Sequence, residues 1–586
     1  MDMRASRLML ESGFTTHDGI SLFYRHWPAE RTPRRGAIVM FHRGHEHSGR
    51  MAHLASELDL LDFDFFAWDA RGHGRSPGAR GYSPSLSCSV RDVDTFVKHI
   101  HSRYGIATED MAILGQSIGA VLIGIWAHDY APPVRCLVFA SPAFKVRLYV
   151  PWAVPGLSLM QGLRGNFFVN SYVKSRFLTH DVQRQDSYDA DPLISRSISV
   201  NVLLDLYKTA PRIIADAQAI TAPTLLLISE KDWVVHHGPQ HEFFSRLGSP
   251  TKEKHVLPGF LHDTFGELDR QVAIDTTRNF ILGQFAAPPF RPDLRTADKH
   301  GATYDEALSL ARPLSLPTPR GLYWALSRLS IKLGSLWSSG LRLGHETGFD
   351  SGSSLDYVYR NSPAGRGIIG RLIDRTYLNS IGWRGIRQRK IYIMDLLLLA
   401  MDKLHSQGRA VKILDIAAGH GRYIIEALQR YARRPASVLL RDFSDLNVRE
   451  GKALIQASGL ADIARFVAGD AFDAAELAAT TPKANVGVVS GLYELFPEND
   501  AVCRSLDGLS QAIEPGGYLI YTGQPWHPQL ELIARTLTSH RDGKLWVMRR
   551  RTQSEIDQLV ADAGFEKLEQ RIDAWGMFTV SLARRR

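Results

Sequence analysis

Ser117 stands between two glycines in "GQSIGA", Asp232 lies in "EKDWVV" and His262 in "LHDTFGE". A serine hydroxyl is a poor nucleophile until a histidine takes its proton, and that histidine needs a carboxylate to hold its tautomer. The order serine, acid, histidine is the one used where the serine sits on a sharp strand-to-helix turn. A glycine-flanked serine alone also fits ordinary turn chemistry, so the two partners carry the assignment. "PTLLLIS" reads as a late strand ahead of Asp232, and "KEKHVLPGF" precedes His262. Both polar residues then fall in loops at the carboxyl edge of an α/β sheet, where ligands bind. The chemistry expected is nucleophilic attack on an ester carbonyl.

A second set of residues lies near the other end. "ILDIAAGHGRYIIEAL" ends a strand on Asp415, and its Gly419 and Gly421 open a helix and let backbone approach a cofactor closely. The spacing is not G-x-G-x-x-G and there is no Walker lysine, which argues against a dinucleotide or a nucleoside triphosphate. "LLRDFS" ends a strand on Asp442, placed to accept ribose hydroxyls, and "FVAGDAFD" brings Asp470 to the next strand end. Asp445 competes with Asp442, which is preferred because it directly follows the apolar strand.

The elements that must position these residues follow from pattern. At 586 residues the chain exceeds a single core. Apolar runs "GAIVMF", "FDFFAWD", "MAILG", "VRCLVFA" and "APTLLLIS" alternate with helical patterns, the mark of a mostly parallel α/β sheet. The rhythm fails near 145–215, as at an inserted cap, and again in the proline-rich stretch 284–320. A second α/β rhythm starts near Val411. The expected architecture is α/β in two domains, 1–285 and 385–586, joined by a linker and lead-in segment over 286–384.

Three cysteines without metal spacing argue for a reducing compartment rather than a disulfide framework. Met1 to Phe14 lacks the apolar core of a signal peptide, and the longest apolar stretch, Ile391–Met401, contains Asp395 and is too short to span a bilayer. A cytoplasmic enzyme is expected. Of the net charge of +9, most sits in residues 301–400, with 13 basic against 7 acidic residues. A local excess suits a linker or an anionic surface rather than nucleic acid. Within it, 321–344 reads as one helix, with Leu322, Leu326, Leu329, Leu333 and Leu336 on one face and Arg328, Lys332 and Arg342 on the other. Such a helix either packs on a domain through its leucines or lies, with Trp324 and Trp337, on an anionic membrane.

"HRGHEHSGR", "DARGHGRSPG", "GQSIGA", "YDADPL" and "LPGFLHDTFGE" resemble monoacylglycerol lipases and related α/β-hydrolases over about residues 10–285. The resemblance implies an α/β-hydrolase fold, acid Asp232, base His262, a cap over about 143–212, and an oxyanion hole from the N–H groups of Gly44 and Ile118. His42-Arg43 departs from the family's His-Gly. His45, His47 and His73 read as loop-structuring residues, and no metal site is expected. The order glycine loop, Asp442, Asp470 resembles class I S-adenosylmethionine-dependent methyltransferases over about 385–586, a Rossmann-like fold. That implies Asp415, Gly419 and Gly421 near the methionine moiety, Asp442 at the ribose and Asp470 at the adenine amine. "SGLYELFPEND" lacks Asn-Pro-Pro-Tyr and nominates neither methyl acceptor nor base; alignment alone could suffice for transfer.

The whole is similar to bacterial hydrolase/methyltransferase fusions. It is expected to be a bifunctional enzyme that hydrolyses esters with an apolar acyl part, such as a monoacylglycerol-like or lysophospholipid-like lipid. The alternatives are a small polar ester or thioester as substrate, and a carboxyl-terminal half that only binds the cofactor or serves as scaffold.

Overall fold

The computed structural model describes residues 7–541 and 543–586, in two compact units, Met1–Pro292 and Asp293–Arg586. The first six residues of the Met1 to Phe14 stretch lie outside the described residues.

In the first unit the strands are β1 (Leu10–Thr15), β2 (Ser21–Trp27), β3 (Gly36–Phe41), β4 (Phe63–Trp68), β5 (Met111–Gln116) and β6 (Cys136–Ala140), then a hairpin of β7 (Phe168–Asn170) and β8 (Ser197–Ser199), then β9 (Thr224–Ser229) and β10 (Lys252–Leu257). The main sheet has the order β1-β2-β4-β3-β5-β6-β9-β10 and is parallel from β4 onward. Every residue of β3, β4, β5, β6 and β9 is buried. A parallel strand covered on both faces has no solvent side, hence the unbroken apolar runs. The edge strand β10 is instead charged and largely exposed, which discourages pairing with another chain. Between β6 and β9 the chain leaves the sheet for the helices Ala153–Arg164, Val182–Ala190 and Val200–Ala215 and the β7/β8 hairpin.

The second unit holds β11 (Lys412–Asp415), β12 (Ser437–Asp442), β13 (Ala464–Ala468), β14 (Ala484–Val489), β15 (Ile513–Gly523), β16 (Phe565–Ile572) and β17 (Thr579–Arg585), in the order β13-β12-β11-β14-β15-β17-β16. All neighbours are parallel except β17, which is antiparallel to both of its partners. The chain winds outward from β11 to β13 and then returns to β14 on the other side of β11. The crevice at that reversal is where ligands of doubly wound sheets bind.

Residues 286–384, read from the sequence as a linker with a lead-in segment, belong to this second unit from Asp293 onward. They form the helices Ala302–Ala311, Pro319–Gly334, Ser339–Thr347, Gly352–Arg360 and Gly367–Leu378. Leu310, Leu341, Phe349, Val358 and Leu378 share one core with Ile533, Met548 and Phe578. The prolines that suggested a linker mark turns between short helices, and Pro319 occupies a helix start, where its missing N–H costs nothing.

The helix expected over 321–344 is two helices, parted where Ser338 caps the second by accepting from Leu341 N–H. Its leucines do not pack inward. Leu322, Leu326, Leu329, Leu333 and Leu336 are each at least half exposed, whereas Arg328, expected on the opposite, outward face, donates from Nη1 to Arg535 O at 3.1 Å. Ile391–Met401 lies within the helix Ile381–Ser406, with Ile393, Met394, Leu396, Leu397, Ala400 and Met401 in the core. Among the described residues no helix is long and apolar enough to cross a membrane.

Candidate active sites

Ser117 occupies the turn between β5 and the helix Ile118–Tyr130 with φ 54° and ψ −115°. A serine held there stores about 1–3 kcal/mol of strain, which the surrounding packing must impose. The flanking glycines show how. A Cβ on Gly119 would lie 2.3 Å from Phe41 O, and one on Gly115 2.7 Å from Gly119 O. Helix and strand are pressed together at the elbow, and only glycine leaves room. Ser117 N–H donates to Ala140 O at 2.9 Å, which fixes the turn to β6.

The three residues singled out in sequence meet here. His262 Nε2 lies 2.8 Å from Ser117 Oγ and its Nδ1 2.7 Å from Asp232 Oδ2. All three are buried. Asp232 Oδ1 accepts from Val234 N–H at 2.7 Å and Val235 N–H at 3.1 Å. Burial alone would push the Asp232 carboxyl up, but His262 and these two N–H groups hold it below the usual carboxylate range. The carboxylate is therefore charged where the imidazole needs it.

Gly44 packs against Ile118, and both border a cavity of about 50 Å³. Among the described residues neither of their backbone N–H groups is engaged by a protein acceptor. Arg43, the departure from His-Gly, is buried against Glu46 at 2.6 Å and Asp263 at 3.5 Å, with its guanidinium over the Tyr188 ring. Asp263 follows His262 and also accepts from Gln116 and from Arg184. Arg43 thus ties the Gly44 loop to the residue beside His262 and to Tyr188 of the segment between β6 and β9, a role no local motif announces. His47 pairs with Asp191 at 2.9 Å, His73 Nδ1 lies 2.8 Å from Arg71 O, and burial, with Arg43 nearby, pushes the His45 imidazole down to about 4.

In the second unit a cavity of about 640 Å³ opens at the strand reversal, lined by Gly419, Asp442, Phe443, Asp470, Phe472 and Gly491, among others. Gly419 has φ 58°, and a Cβ there would meet only Gly352 Cα at 3.6 Å. Asp442 Oδ2 accepts from Gly419 N–H at 2.8 Å, so the acidic strand end and the glycine loop are joined directly. Asp445 instead begins the next helix and does not border the cavity.

Asp415 and Gly421 stand behind this wall rather than on it. Asp415 is fully buried and accepts from Tyr423 Oη at 2.7 Å and Ala417 N–H at 3.2 Å. Burial, with Asp442 nearby, pushes its carboxyl up to about 7. Gly421 has φ 73°, and its Cβ would strike Leu440 Cδ1 at 2.6 Å, so it is a packing glycine at the helix start.

Residues 277–585 match the family model described as "Putative methyltransferase". The chain belongs to that family. Ahead of it, residues 32–269 match the model described as "Serine aminopeptidase, S33". "Uncharacterized protein YnbC" of Escherichia coli (strain K12) is 57% identical over 587 residues, covering 100% of both chains. The monoglyceride lipase of Mus musculus is 30% identical over 43% of this chain and 82% of its own. The monoacylglycerol lipase of Mycolicibacterium smegmatis is 25% identical over 46% and 96%. The protein is a fusion of a monoacylglycerol lipase-like α/β-hydrolase and a methyltransferase-family unit.

The methyltransferase unit uses residues that the sequence reading placed outside it. Asp350, Gly352, Ser353, Asp356 and Tyr359 border the 640 Å³ cavity from the former lead-in segment. Although burial pushes the Asp356 carboxyl up, His420 and Arg422 of the glycine loop hold it well below the usual carboxylate range. That segment closes over the loop. The match beginning at residue 277 agrees with this, and the sequence signal available was "GFDSGSSLDY", a serine cap followed by a helix.

Proposed function

We propose that the hydrolase unit cleaves carboxylic esters with an apolar acyl part. The observation that carries this reading is the unbroken chain Ser117 Oγ, His262 Nε2, His262 Nδ1, Asp232 Oδ2 at hydrogen-bond distances. Ser117 Oγ attacks the carbonyl carbon as His262 Nε2 takes its proton, and Asp232 stabilises the imidazolium. The N–H groups of Gly44 and Ile118 receive the oxyanion. His262 then returns its proton to the leaving alcohol and activates the water that frees the acyl group. The monoglyceride lipase names among the relatives support the substrate class.

For the second unit we propose S-adenosylmethionine as the ligand of the 640 Å³ cavity. Its size suits a cofactor of that kind, the Gly419 cradle is open, and Asp442 and Asp470 offer carboxylate acceptors for ribose and adenine groups. When bound, this cofactor supplies an electrophilic methyl group. Asp415 holds the loop through Ala417 and Tyr423, and Phe443 and Phe472 offer apolar walls.

The outward leucines of Pro319–Gly334 support peripheral contact with an anionic membrane. The helix Gly367–Leu378 adds exposed Ile368, Ile369 and Leu372 beside exposed Arg371 and Arg375. Hydrolysis of monodecanoylglycerol against ethyl acetate tests the substrate class, with Ser117→Ala as the blank. The long-chain ester is expected to show the higher kcat/KM, and equal or reversed values would overturn the acyl assignment.

A further inference from the structure

Beside the proposed cofactor cavity lies a second one of about 590 Å³, within the usual size of small-molecule sites. Its walls are mostly apolar and include Ile331, Leu341, Leu372, Ile373, Trp383 and Phe578. Asp350, Leu355, Gly491 and Leu495 border both cavities. An apolar chamber sharing a wall with a methyl donor's site is placed to hold what is methylated. This inference rests on the methyltransferase reading proposed above.

The polar groups in the chamber narrow the choice. Glu494, between Gly491 and Leu495, is 8% exposed and Gln524 5% exposed. Glu494 Oε1 accepts from Thr522 Oγ1 at 2.8 Å and lies 3.6 Å from Arg389 Nη1. Thr522 Oγ1 in turn accepts from Gly491 N–H at 2.8 Å, which joins Glu494 to the shared wall. Among the described residues Glu494 Oε2, Gln524 Nε2, Arg389 Nε and Trp546 Nε1 are buried without a hydrogen-bond partner, and all four residues border the chamber. A buried polar atom left without a partner costs about 1–3 kcal/mol, so one free acceptor and three free donors around the same chamber call for a ligand that both donates and accepts.

A hydroxyl does so, because it can donate to Glu494 Oε2 and accept from the free N–H donors through its lone pairs. An ammonium would leave Gln524 Nε2 unsatisfied. A carboxylate accepts only and would leave Glu494 Oε2 without a donor. Ile331 and Leu372, from the two helices with outward apolar side chains, also line the chamber, so those helices carry apolar surface from the outside into its wall.

We propose that this chamber binds the methyl acceptor, an elongated apolar molecule ending in an acidic hydroxyl, with Glu494 Oε2 as the base that receives the hydroxyl proton. As the acceptor oxygen bonds to the methyl carbon, the donor's carbon–sulfur bond breaks with its electron pair left on sulfur, and the proton passes to Glu494 and then to water.

Calorimetric titration of the full chain with para-octylphenol, phenol and octanoate tests the binding, without cofactor. Octylphenol should bind at least about 100-fold more tightly than phenol, from the buried methylenes, and at least about tenfold more tightly than octanoate. Leu372→Glu, at an exposed position, should weaken octylphenol at least about tenfold while leaving S-adenosylmethionine binding unchanged. Glu494→Gln should keep octylphenol affinity within about threefold and lower methylation of octylphenol at least about 100-fold. S-adenosylmethionine binding without selective octylphenol binding overturns this proposal and spares the parent reading. Octylphenol binding without S-adenosylmethionine binding overturns the parent reading. Full methylation by Glu494→Gln removes the base assignment.

Discussion

Ser117, Asp232 and His262 were legible because each sits where an apolar run stops, and strand ends in an α/β sheet are where side chains reach a ligand. Ser117→Ala should lower ester turnover at least about 1,000-fold, and adding His262→Ala should cost little more, since the three act as a unit. Purified single and double variants, compared by kcat/KM at equal melting temperature, check this. Glu494 was on view in "SGLYELFPEND", yet it could not be nominated, because what singles it out is an unpartnered buried oxygen beside a cavity. Asp415 was legible as a strand end, but its burial was not. Its carboxyl stays protonated in the native state up to about pH 7 and ionises near pH 4 once unfolded. Between those values the unfolded chain binds fewer protons, so stability falls as pH rises through this window. Asp415→Asn should remove that slope. Compared with the variant, the wild type should lose up to about 4 kcal/mol between pH 4 and 7, measured by denaturant unfolding of the second unit.

At the scale of elements, the two sheets were readable and the short helices over 302–378, between one sheet and the other in sequence, were not. Strands β3, β5, β6 and β9 are buried along their whole length and announce themselves as apolar runs. The helices over 302–378 are short, and the core they form with one another is completed by Ile533, Met548 and Phe578, more than 150 positions away. No local pattern carries that information. The same holds for the helix Pro319–Gly334, whose leucine stripe suggested an inward face by the ordinary rule for amphipathic helices. It presents that stripe outward and spends Arg328 on a backbone carbonyl instead. The membrane test therefore belongs to the leucines rather than to Arg328. Leu326→Glu combined with Leu333→Glu should abolish co-sedimentation with vesicles of phosphatidylglycerol at low salt and leave hydrolysis of a short soluble ester unchanged. Wild-type protein that stays in the supernatant would remove the membrane proposal.

For the molecule as a whole, the proposal is of two chemistries in one chain: a nucleophilic serine in Met1–Pro292 and a cavity for a cofactor in Asp293–Arg586. The two glycine motifs differ because they do different things. Gly119 exists so that a helix can press on a strand, whereas Gly419 leaves backbone open to a cavity. The claim is tested most directly by calorimetric titration of S-adenosylmethionine into the full-length Ser117→Ala variant. The account predicts one binding event per chain with wild-type affinity, weakened about 10- to 150-fold by Asp442→Ala through loss of charged hydrogen bonds. No binding to the full-length chain, or binding indifferent to Asp442→Ala and Gly419→Val, would contradict it.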